Sequence, residues 1–193
     1  MSSRSSTGSP DVMDSGGRNQ PRLEGARVVI MGLGAHGGGA ASARYCAEAG
    51  AHVTVTDLRE EEHLQESLDS LHGLPVRYVL GRHEDADFRT ADLVVKNPAV
   101  PRTAPLLHLA RRIETDISLF LARFRGPVLA VTGTKGKSTT ASALYHVLQE
   151  EYPEARLGGN ITVSPLTFVH EITERTPVVL ELSSFQLGDL LLT

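Results

Sequence analysis

The chain has 193 residues, which is long enough for one large domain or two small ones with a buried core. Hydrophobic residues make up 40% and charged residues 22%, a composition typical of folded soluble proteins rather than disordered ones. The net charge of -4, without any block rich in lysine and arginine, argues against a nucleic-acid partner.

The first 22 residues are rich in serine, glycine, proline and asparagine, which is typical of a flexible tail without the apolar core of a secretion signal. No apolar run approaches the roughly 20 residues that a membrane-spanning helix requires. The single cysteine, Cys46, cannot form an internal disulfide and is expected to be a small buried residue. We therefore expect a cytoplasmic protein without a membrane partner.

From Leu23 onward, short apolar runs alternate with longer amphipathic segments, which is the pattern of an α/β fold. Gly50 is expected to end the first helix of this region. Together the segments predict one α/β domain over residues 23–125. Its strands are predicted at 27–31, 52–56, 76–80 and 92–95, and its helices at about 37–49, 60–71, 106–111 and 117–123.

A second domain is predicted from residue 126, because the order of strand, loop and helix begins again after Gly126-Pro127. The elements are too few for a closed sheet, so we expect this domain, residues 126–193, to be cut short at Thr193. Strands are predicted at 128–131, near 156–157 and at 178–182, with a helix from 137 to about 150.

Residues 130–140 (AVTGTKGKSTT) lead from a strand through two glycines into a helix. Free backbone N–H groups and the positive end of the helix favour a phosphate at such a loop. The usual phosphate-loop pattern would require glycine at Val131, whereas here Gly133 lies three positions before Gly136. We still predict a phosphate-binding loop rather than a glycine turn with a solvated lysine. Lys137 would face the β- and γ-phosphates, and the Ser138 hydroxyl would reach Mg²⁺.

The segment Gly32-Leu-Gly-Ala-His-Gly37 follows a predicted strand and precedes a predicted helix, and Asp57 ends the next strand about 20 residues on. By itself this pattern favours a nicotinamide or flavin dinucleotide. It leaves open another nucleotide ligand, or tight packing of a helix on a strand without any ligand. The eight histidines include no i, i+4 pair, so no helical zinc site is predicted.

Residues 179–187 (VLELSSFQL) bring Glu181 to the end of an apolar strand. From the pattern alone, a single acid in this position is more often paired or exposed than a metal ligand, and one oxygen donor cannot identify an ion.

The loop T-G-T-K-G-K-S-T-T resembles the ATP-binding loop of the Mur ligase superfamily, which also includes folylpolyglutamate synthetases. The stretches E-L-S-S-F-Q-L and Gly158-Gly-Asn-Ile161 are similar to segments of this family, the first of them to its D-glutamate-adding branch. The resemblance extends from Leu23 to Thr193 in the same motif order. Folylpolyglutamate synthetases lack the leading Rossmann-like domain, which disfavours them.

The resemblance implies a Rossmann-like domain that binds a UDP precursor, followed by the start of an ATP-binding central domain. Lys137 would be the catalytic residue, and Ser138 and Glu181 would hold Mg²⁺. The nucleotide phosphates would contact Gly133, Thr134, Lys135, Gly136, Lys137, Ser138 and Thr139. The UDP precursor would contact Gly34, Ala35, His36, Gly37, Asp57, Leu58, Arg59 and Asn160.

Two positions depart from the family pattern. Thr162 stands where glycine is usual, and Asn97-Pro-Ala99 stands where Ser-Pro-Gly is common. A residue with a Cβ cannot approach a ligand as closely as glycine, so both changes affect local backbone contacts to the substrate.

The resemblance implies a monomeric, ATP-dependent ligase of peptidoglycan synthesis that adds D-glutamate to UDP-N-acetylmuramoyl-L-alanine through an acyl phosphate. The later histidine, the carbamylated lysine and the C-terminal domain of the family are missing, so we expect this chain alone to form no product. Two other functions stay open: a non-catalytic module that binds the UDP precursor, and a nicotinamide-dependent oxidoreductase. The oxidoreductase leaves Lys137 and residues 181–187 without a role.

Overall fold

A computed structural model describes residues 20–34, 38–160 and 163–191. Within these ranges the fold is α/β, as predicted, with two parallel sheets in succession along the chain. The first sheet contains β1 (Arg27–Met31), β2 (His52–Asp57), β3 (Val76–Leu80), β4 (Leu93–Lys96) and β5 (Ile113–Glu114). The second contains β6 (Val128–Val131), β7 (Arg156–Gly159) and β8 (Val178–Glu181).

The helices connect the strands and cover the sheets. The α-helices of the described ranges are α1 (Gly38–Glu48), α2 (Gln65–Asp69), α3 (Asp85–Thr90), α4 (Asp116–Arg123), α5 (Lys137–Glu151) and α6 (Ser184–Asp189). Short 3-10 helices span Glu61–His63, Pro105–Leu109 and Pro165–Thr167. None of the helices in the described ranges is long and apolar enough to cross a membrane.

The strand order of the first sheet is β3-β2-β1-β4-β5, with every pair parallel. The chain moves outward from β1 to β3 and then returns to the other side of β1, so the order reverses between β1 and β4. A crevice forms at the carboxyl ends of the strands where the order reverses. The second sheet has the order β6-β8-β7, and all three strands end at the same edge.

Alternate residues of β1 face opposite sides of the first sheet, as the two-residue period of a strand requires. Val28 and Ile30 lie in the larger apolar core, together with residues of α1 and α4. Val29 and Met31 lie in a smaller core beneath α3 and the 3-10 helix Pro105–Leu109. The larger core also includes residues of β8, so the two sheets share one apolar interior.

Local sequence determines where several helices begin and end. Gly50 adopts a φ of 82° just after α1, as predicted for a helix-ending glycine. Thr115 caps α4 by accepting a hydrogen bond from the Ser118 nitrogen at 3.1 Å, and the Ser118 hydroxyl accepts one from the Thr115 nitrogen at 2.7 Å. These paired bonds satisfy N–H groups that the first helical turn leaves free.

Two helix predictions were wrong. The segment 60–71 is not one helix, because Leu64 leaves helical geometry (φ -125°, ψ 6°) between a 3-10 turn and the five-residue α2. Both Leu64 and Leu71 are nevertheless buried, which explains the helical spacing of leucines in the sequence. The segment 106–111 forms a 3-10 helix over Pro105–Leu109 instead of an α-helix. The structure also contains α3, β5 and α6, which we did not predict.

Candidate functional site

A glycine turn follows β1 at the carboxyl edge of the first sheet. Gly32 and Gly34 have φ values of 90° and 72°, a conformation that favours glycine. The Asp57 carboxylate at the end of β2 holds this turn: its Oδ2 accepts hydrogen bonds from the Leu33 nitrogen at 2.9 Å and the Gly34 nitrogen at 3.3 Å. A Cβ at Gly39 would overlap the Gly32 carbonyl oxygen, so α1 can pack against the turn only with glycine there.

Asp57 is buried and charged. Burial alone would raise the pKa of Asp57, but hydrogen bonds from Arg59 and Gly34 and the charge of Arg59 bring it below its ordinary value. The Arg59 backbone nitrogen donates to Asp57 Oδ1 at 2.9 Å, and its half-exposed guanidinium lies 3.4 Å from Oδ2. Asp57 was assigned to the UDP precursor, and in this structure its oxygens accept hydrogen bonds from the chain.

A cleft of about 630 Å³ lies over the glycine turn at the carboxyl ends of β1, β2 and β4. The predicted residues Gly34, Asp57, Leu58 and Arg59 all line it. The predicted residues Ala35, His36 and Gly37 lie outside the described residues. Asn97 and Ala99, where the sequence departs from the family pattern, also line it. Further lining residues that we did not predict include His83, Val100, Pro101, Pro105 and Leu106.

His83 is one of the lining residues that sequence reasoning missed. The buried Thr56 hydroxyl donates to the Arg82 carbonyl oxygen at 3.0 Å and lies 2.7 Å from His83 Nδ1. Burial lowers the pKa of His83, and the nearby Asp57 charge partly opposes this change. His83 follows β3 of the parallel sheet, and this position near the carboxyl edge was the signal that could have identified it.

The predicted phosphate loop lies between β6 and α5. Gly133 has a φ of 151°, and Gly136, the residue before α5, has a φ of 77°. No side chain caps α5, so its first N–H groups and the positive end of a 15-residue helix face the loop. Lys137 Nζ donates to the Gly133 carbonyl oxygen at 2.9 Å, which brings its charge over the loop. The seven residues assigned to ATP are contiguous here, and all except the half-buried Lys137 are exposed.

Glu181 ends β8 directly beside this loop. It pairs in register with Val131, the last residue of β6 before the loop. Its side chain is buried, and Oε2 has no hydrogen-bond partner among the described residues. A hard oxygen donor without a partner suits a cation such as Mg²⁺, which binds through one or two protein oxygens and keeps phosphate and water ligands. The described residues contain no group of three or more His, Cys, Asp or Glu that could hold a metal by themselves.

Asn160, assigned to the UDP precursor, lies on the second sheet rather than among the residues that line the cleft. Its backbone nitrogen donates to the Glu181 carbonyl oxygen at 2.8 Å. A Cβ at Gly159 would overlap the same oxygen, so β7 and β8 approach closely only because glycine is present. The edge of the second sheet therefore brings together the phosphate loop, Glu181 and Asn160. Thr162 lies outside the described residues.

Comparison with known proteins gives matches along most of the chain. Residues 26–118 match the family described as Mur ligase MurD-like, N-terminal domain. A UDP-N-acetylmuramoylalanine--D-glutamate ligase of Borreliella afzelii (strain PKo) is 49% identical over 170 residues, covering 87% of this chain and 38% of the relative. The enzyme of the same name from Treponema pallidum (strain Nichols) is 55% identical over 175 residues, covering 87% of this chain and 33% of the relative.

The chain thus spans between 33% and 38% of the length of these two curated relatives. Among solved structures, a pseudomurein peptide ligase type C from Methanothermus fervidus aligns with a TM-score of 0.45 and 21% identity, covering 82% of this chain and 33% of that one. Residues 26–118 are therefore a MurD-like N-terminal domain of the Mur ligase family, and 87% of the chain aligns with the curated ligases.

Proposed function

We propose that this chain is the part of a D-glutamate-adding Mur ligase that binds the UDP precursor and the phosphates of ATP. The observation that carries the proposal is the pair of glycine turns, one after β1 and one after β6, each at the carboxyl edge of a parallel sheet. The curated relatives at 49% and 55% identity are named as UDP-N-acetylmuramoylalanine--D-glutamate ligases. Their name supplies the UDP precursor proposed for the first turn, whereas ATP is proposed for the second turn because a glycine loop before a helix favours phosphate.

The cleft would take UDP-N-acetylmuramoyl-L-alanine. Its glycine turn lets a diphosphate approach the backbone, and the half-exposed Arg59 guanidinium supplies positive charge beside it. Other lining residues, among them Val100 and Leu106, are apolar. The names of the curated relatives favour a UDP precursor over a nicotinamide dinucleotide in this cleft.

The phosphate loop would take ATP. In the proposed reaction, a carboxylate oxygen of the UDP precursor forms a bond to the γ-phosphorus of ATP, and the bond from that phosphorus to the β-phosphate oxygen breaks, releasing ADP. The amine of D-glutamate then attacks the carbonyl carbon, phosphate leaves, and the nitrogen loses a proton. Lys137 would stabilise the charge on the transferred phosphoryl group. Ser138 and Glu181 would hold Mg²⁺, which neutralises phosphate charge when bound.

Calorimetry on the 193-residue chain tests both halves of this proposal. UDP-N-acetylmuramoyl-L-alanine should bind, and NADH should bind more weakly or not at all. A non-hydrolysable ATP analogue with Mg²⁺ should bind whether or not the UDP compound is present. Tighter binding of NADH than of the UDP compound would contradict the proposal.

Two variants assign the ligands to their sites. Arg59→Ala should weaken binding of the UDP compound and leave binding of the ATP analogue unchanged. Lys137→Ala should weaken binding of the ATP analogue and leave binding of the UDP compound unchanged. Arg89→Ala, which removes an exposed cation of α3 outside both turns, is the matched control and should change neither affinity. If either variant stays folded but no longer binds either ligand, the two sites are not separate.

A further inference from the structure

A buried ion pair joins the two sheets next to the cleft. Lys96 ends β4 of the first sheet, and Asp189 ends α6, which follows β8 of the second. The Lys96 ammonium lies 2.8 Å from Asp189 Oδ2, and both side chains are 1% exposed. Arg102 adds a second cation, with Nε 3.6 Å from Asp189 Oδ1. Apolar residues in place of such a pair often leave a protein equally stable or more stable, so stability alone does not account for it.

The Lys96 ammonium also holds one wall of the cleft. It donates hydrogen bonds to the carbonyl oxygens of Val100 at 2.8 Å and Asn97 at 3.2 Å, the two ends of a short loop. Both residues line the cleft and pack on the glycine turn. A Cβ at Gly32 would lie 3.0 Å from Asn97 Cβ and 3.2 Å from Val100 Cγ2. The ammonium thus helps to hold this wall against the turn, together with the hydrogen bond from the Asn97 nitrogen to the Met31 carbonyl oxygen at 3.0 Å.

Asp189 is attached to the edge of the second sheet by a short, well-capped helix. Ser183 accepts a hydrogen bond from the Gln186 nitrogen at 3.2 Å, and Gln186 Oε1 accepts one from the Ser183 nitrogen at 3.0 Å. Ser183 lies only two positions after Glu181. The carboxylate that pairs with Lys96 is therefore placed by the same segment that bears the proposed metal ligand.

We infer that Lys96 and Asp189 are positioning residues that couple the second sheet to the cleft, so that the place of α6 sets how tightly the cleft binds its ligand. The inference rests on the proposed function, since it requires the UDP precursor in the cleft. Asp189 is not among the residues that line the cleft. Any effect of an Asp189 substitution on ligand affinity in the cleft would therefore pass through Lys96 and the 97–100 loop.

The test measures how a change at Asp189 alters ligand affinity in the cleft while the chain stays folded. Asp189→Asn keeps the volume of the side chain and removes its charge, so Lys96 loses its closest anion. We expect the Kd for UDP-N-acetylmuramoyl-L-alanine, measured by calorimetry well below the unfolding temperature, to rise about tenfold, within the usual range of coupling between sites. Asp85→Asn is the control, because it breaks an exposed pair with Arg89 on α3 and should leave the Kd unchanged.

A second variant covers the case in which Asp189→Asn does not fold. The double variant Lys96→Met with Asp189→Leu removes both charges of the buried pair. The Arg102 guanidinium, which also pairs with Asp189, is 40% exposed and can be solvated, so the double variant should fold. Its Kd should still rise about tenfold, because Asn97 and Val100 lose their donor. A folded double variant with wild-type affinity would overturn the positioning role alone. A wild-type chain that does not bind the UDP precursor would overturn the proposed function of the cleft as well.

Discussion

Asp57 Oδ2 accepts a hydrogen bond from the backbone nitrogen of Leu33 at 2.9 Å, across 24 positions of sequence. The bond ties the end of β2 to the turn after β1, and Gly34 adds a second, longer bond to the same oxygen. Turn N–H groups that would otherwise point into the cleft without a partner are thereby satisfied. The shape of the turn is thus set by the chain before any ligand binds.

Asp57→Asn tests this role. An amide offers one acceptor oxygen in place of two, so N–H groups from the turn or from Arg59 lose a charged acceptor. Because hydrogen bonds to charged groups contribute about 1.5 to 3 kcal/mol, we expect the free energy of unfolding in urea to fall by about 2 kcal/mol. Asp69→Asn, at an exposed position, should change it by less than about 0.5 kcal/mol. Equal effects of the two variants would contradict a structural role for Asp57.

The same carboxylate predicts a dependence of stability on pH. The pKa of Asp57 is lower in the folded chain than its ordinary value of 3.8. Its stabilising effect is therefore complete above the unfolded pKa of about 3.9 and is lost as the pH falls through the lower, folded pKa. We expect the difference in unfolding free energy between wild type and Asp57→Asn to stay level from about pH 7 to about pH 5 and to shrink below about pH 4. A difference that grows on acidification would have the wrong sign.

Strands β1, β2, β4 and β8 were predictable because each is a compact apolar run whose residues are mostly buried. The five residues of β1 match the predicted strand, and four of them are buried. The positions of the turn after β1 and the loop before α5 were predictable because each has glycines between a strand and a helix. The carboxyl edge of the first sheet contains residues 34 and 57–59, and the carboxyl edge of the second contains residues 133–139 and 181.

The remaining features depend on contacts that a local pattern does not contain. Helix α3 buries one large apolar residue, Phe88, so its six residues carry no helical periodicity. Helix α6 did carry a signal, because Ser183 and Gln186 have the spacing of a capping box. The pairing of Lys96 with Asp189 joins residues 93 positions apart, and nothing near either residue predicts it.

Two adjacent glycines of α1 make a matched pair of variants. A Cβ at Gly39 would overlap the carbonyl oxygens of Gly32 and Leu33, whereas a Cβ at Gly38 would lie 3.8 Å from Asn97 Nδ2. Gly39→Ala must therefore displace the glycine turn, and we expect a loss of about 1 to 3 kcal/mol in unfolding free energy. Gly38→Ala should be neutral or stabilising by up to about 1 kcal/mol. Similar thermal unfolding of the two variants would mean that α1 does not pack on the turn as described.

Cys46 should be unreactive in the folded chain. It is fully buried in α1, and burial raises the pKa of its thiol to about 12. Only the thiolate reacts with alkylating and disulfide reagents, so modification at about pH 8 should wait for unfolding. We expect the rate of reaction with a disulfide reagent to rise by orders of magnitude once urea unfolds the chain. Rapid modification of the native chain would show that α1 opens locally.

Substitution of Glu181 is expected to stabilise the protein, whereas most substitutions destabilise it. The buried Oε2 of Glu181 has no hydrogen-bond partner among the described residues, and an unpaired buried charge destabilises a fold. Glu181→Gln keeps the shape and removes the charge, so without metal we expect the free energy of unfolding to rise by about 1 to 3 kcal/mol. Glu171→Gln, at an exposed position, should leave it within about 0.5 kcal/mol.

The function of the same variant should change in the opposite direction. If Glu181 holds Mg²⁺ beside the phosphate loop, Mg²⁺ should tighten binding of an ATP analogue to the wild type and have a smaller effect on Glu181→Gln. Calorimetry with and without Mg²⁺ separates this effect from any change in stability, because both variants are compared while folded. If Glu181 is retained for ligand binding at a cost in stability, its substitution should make the protein more stable and weaken ligand binding. A variant that is less stable without metal, yet responds to Mg²⁺ like the wild type, would mark Glu181 as a structural residue.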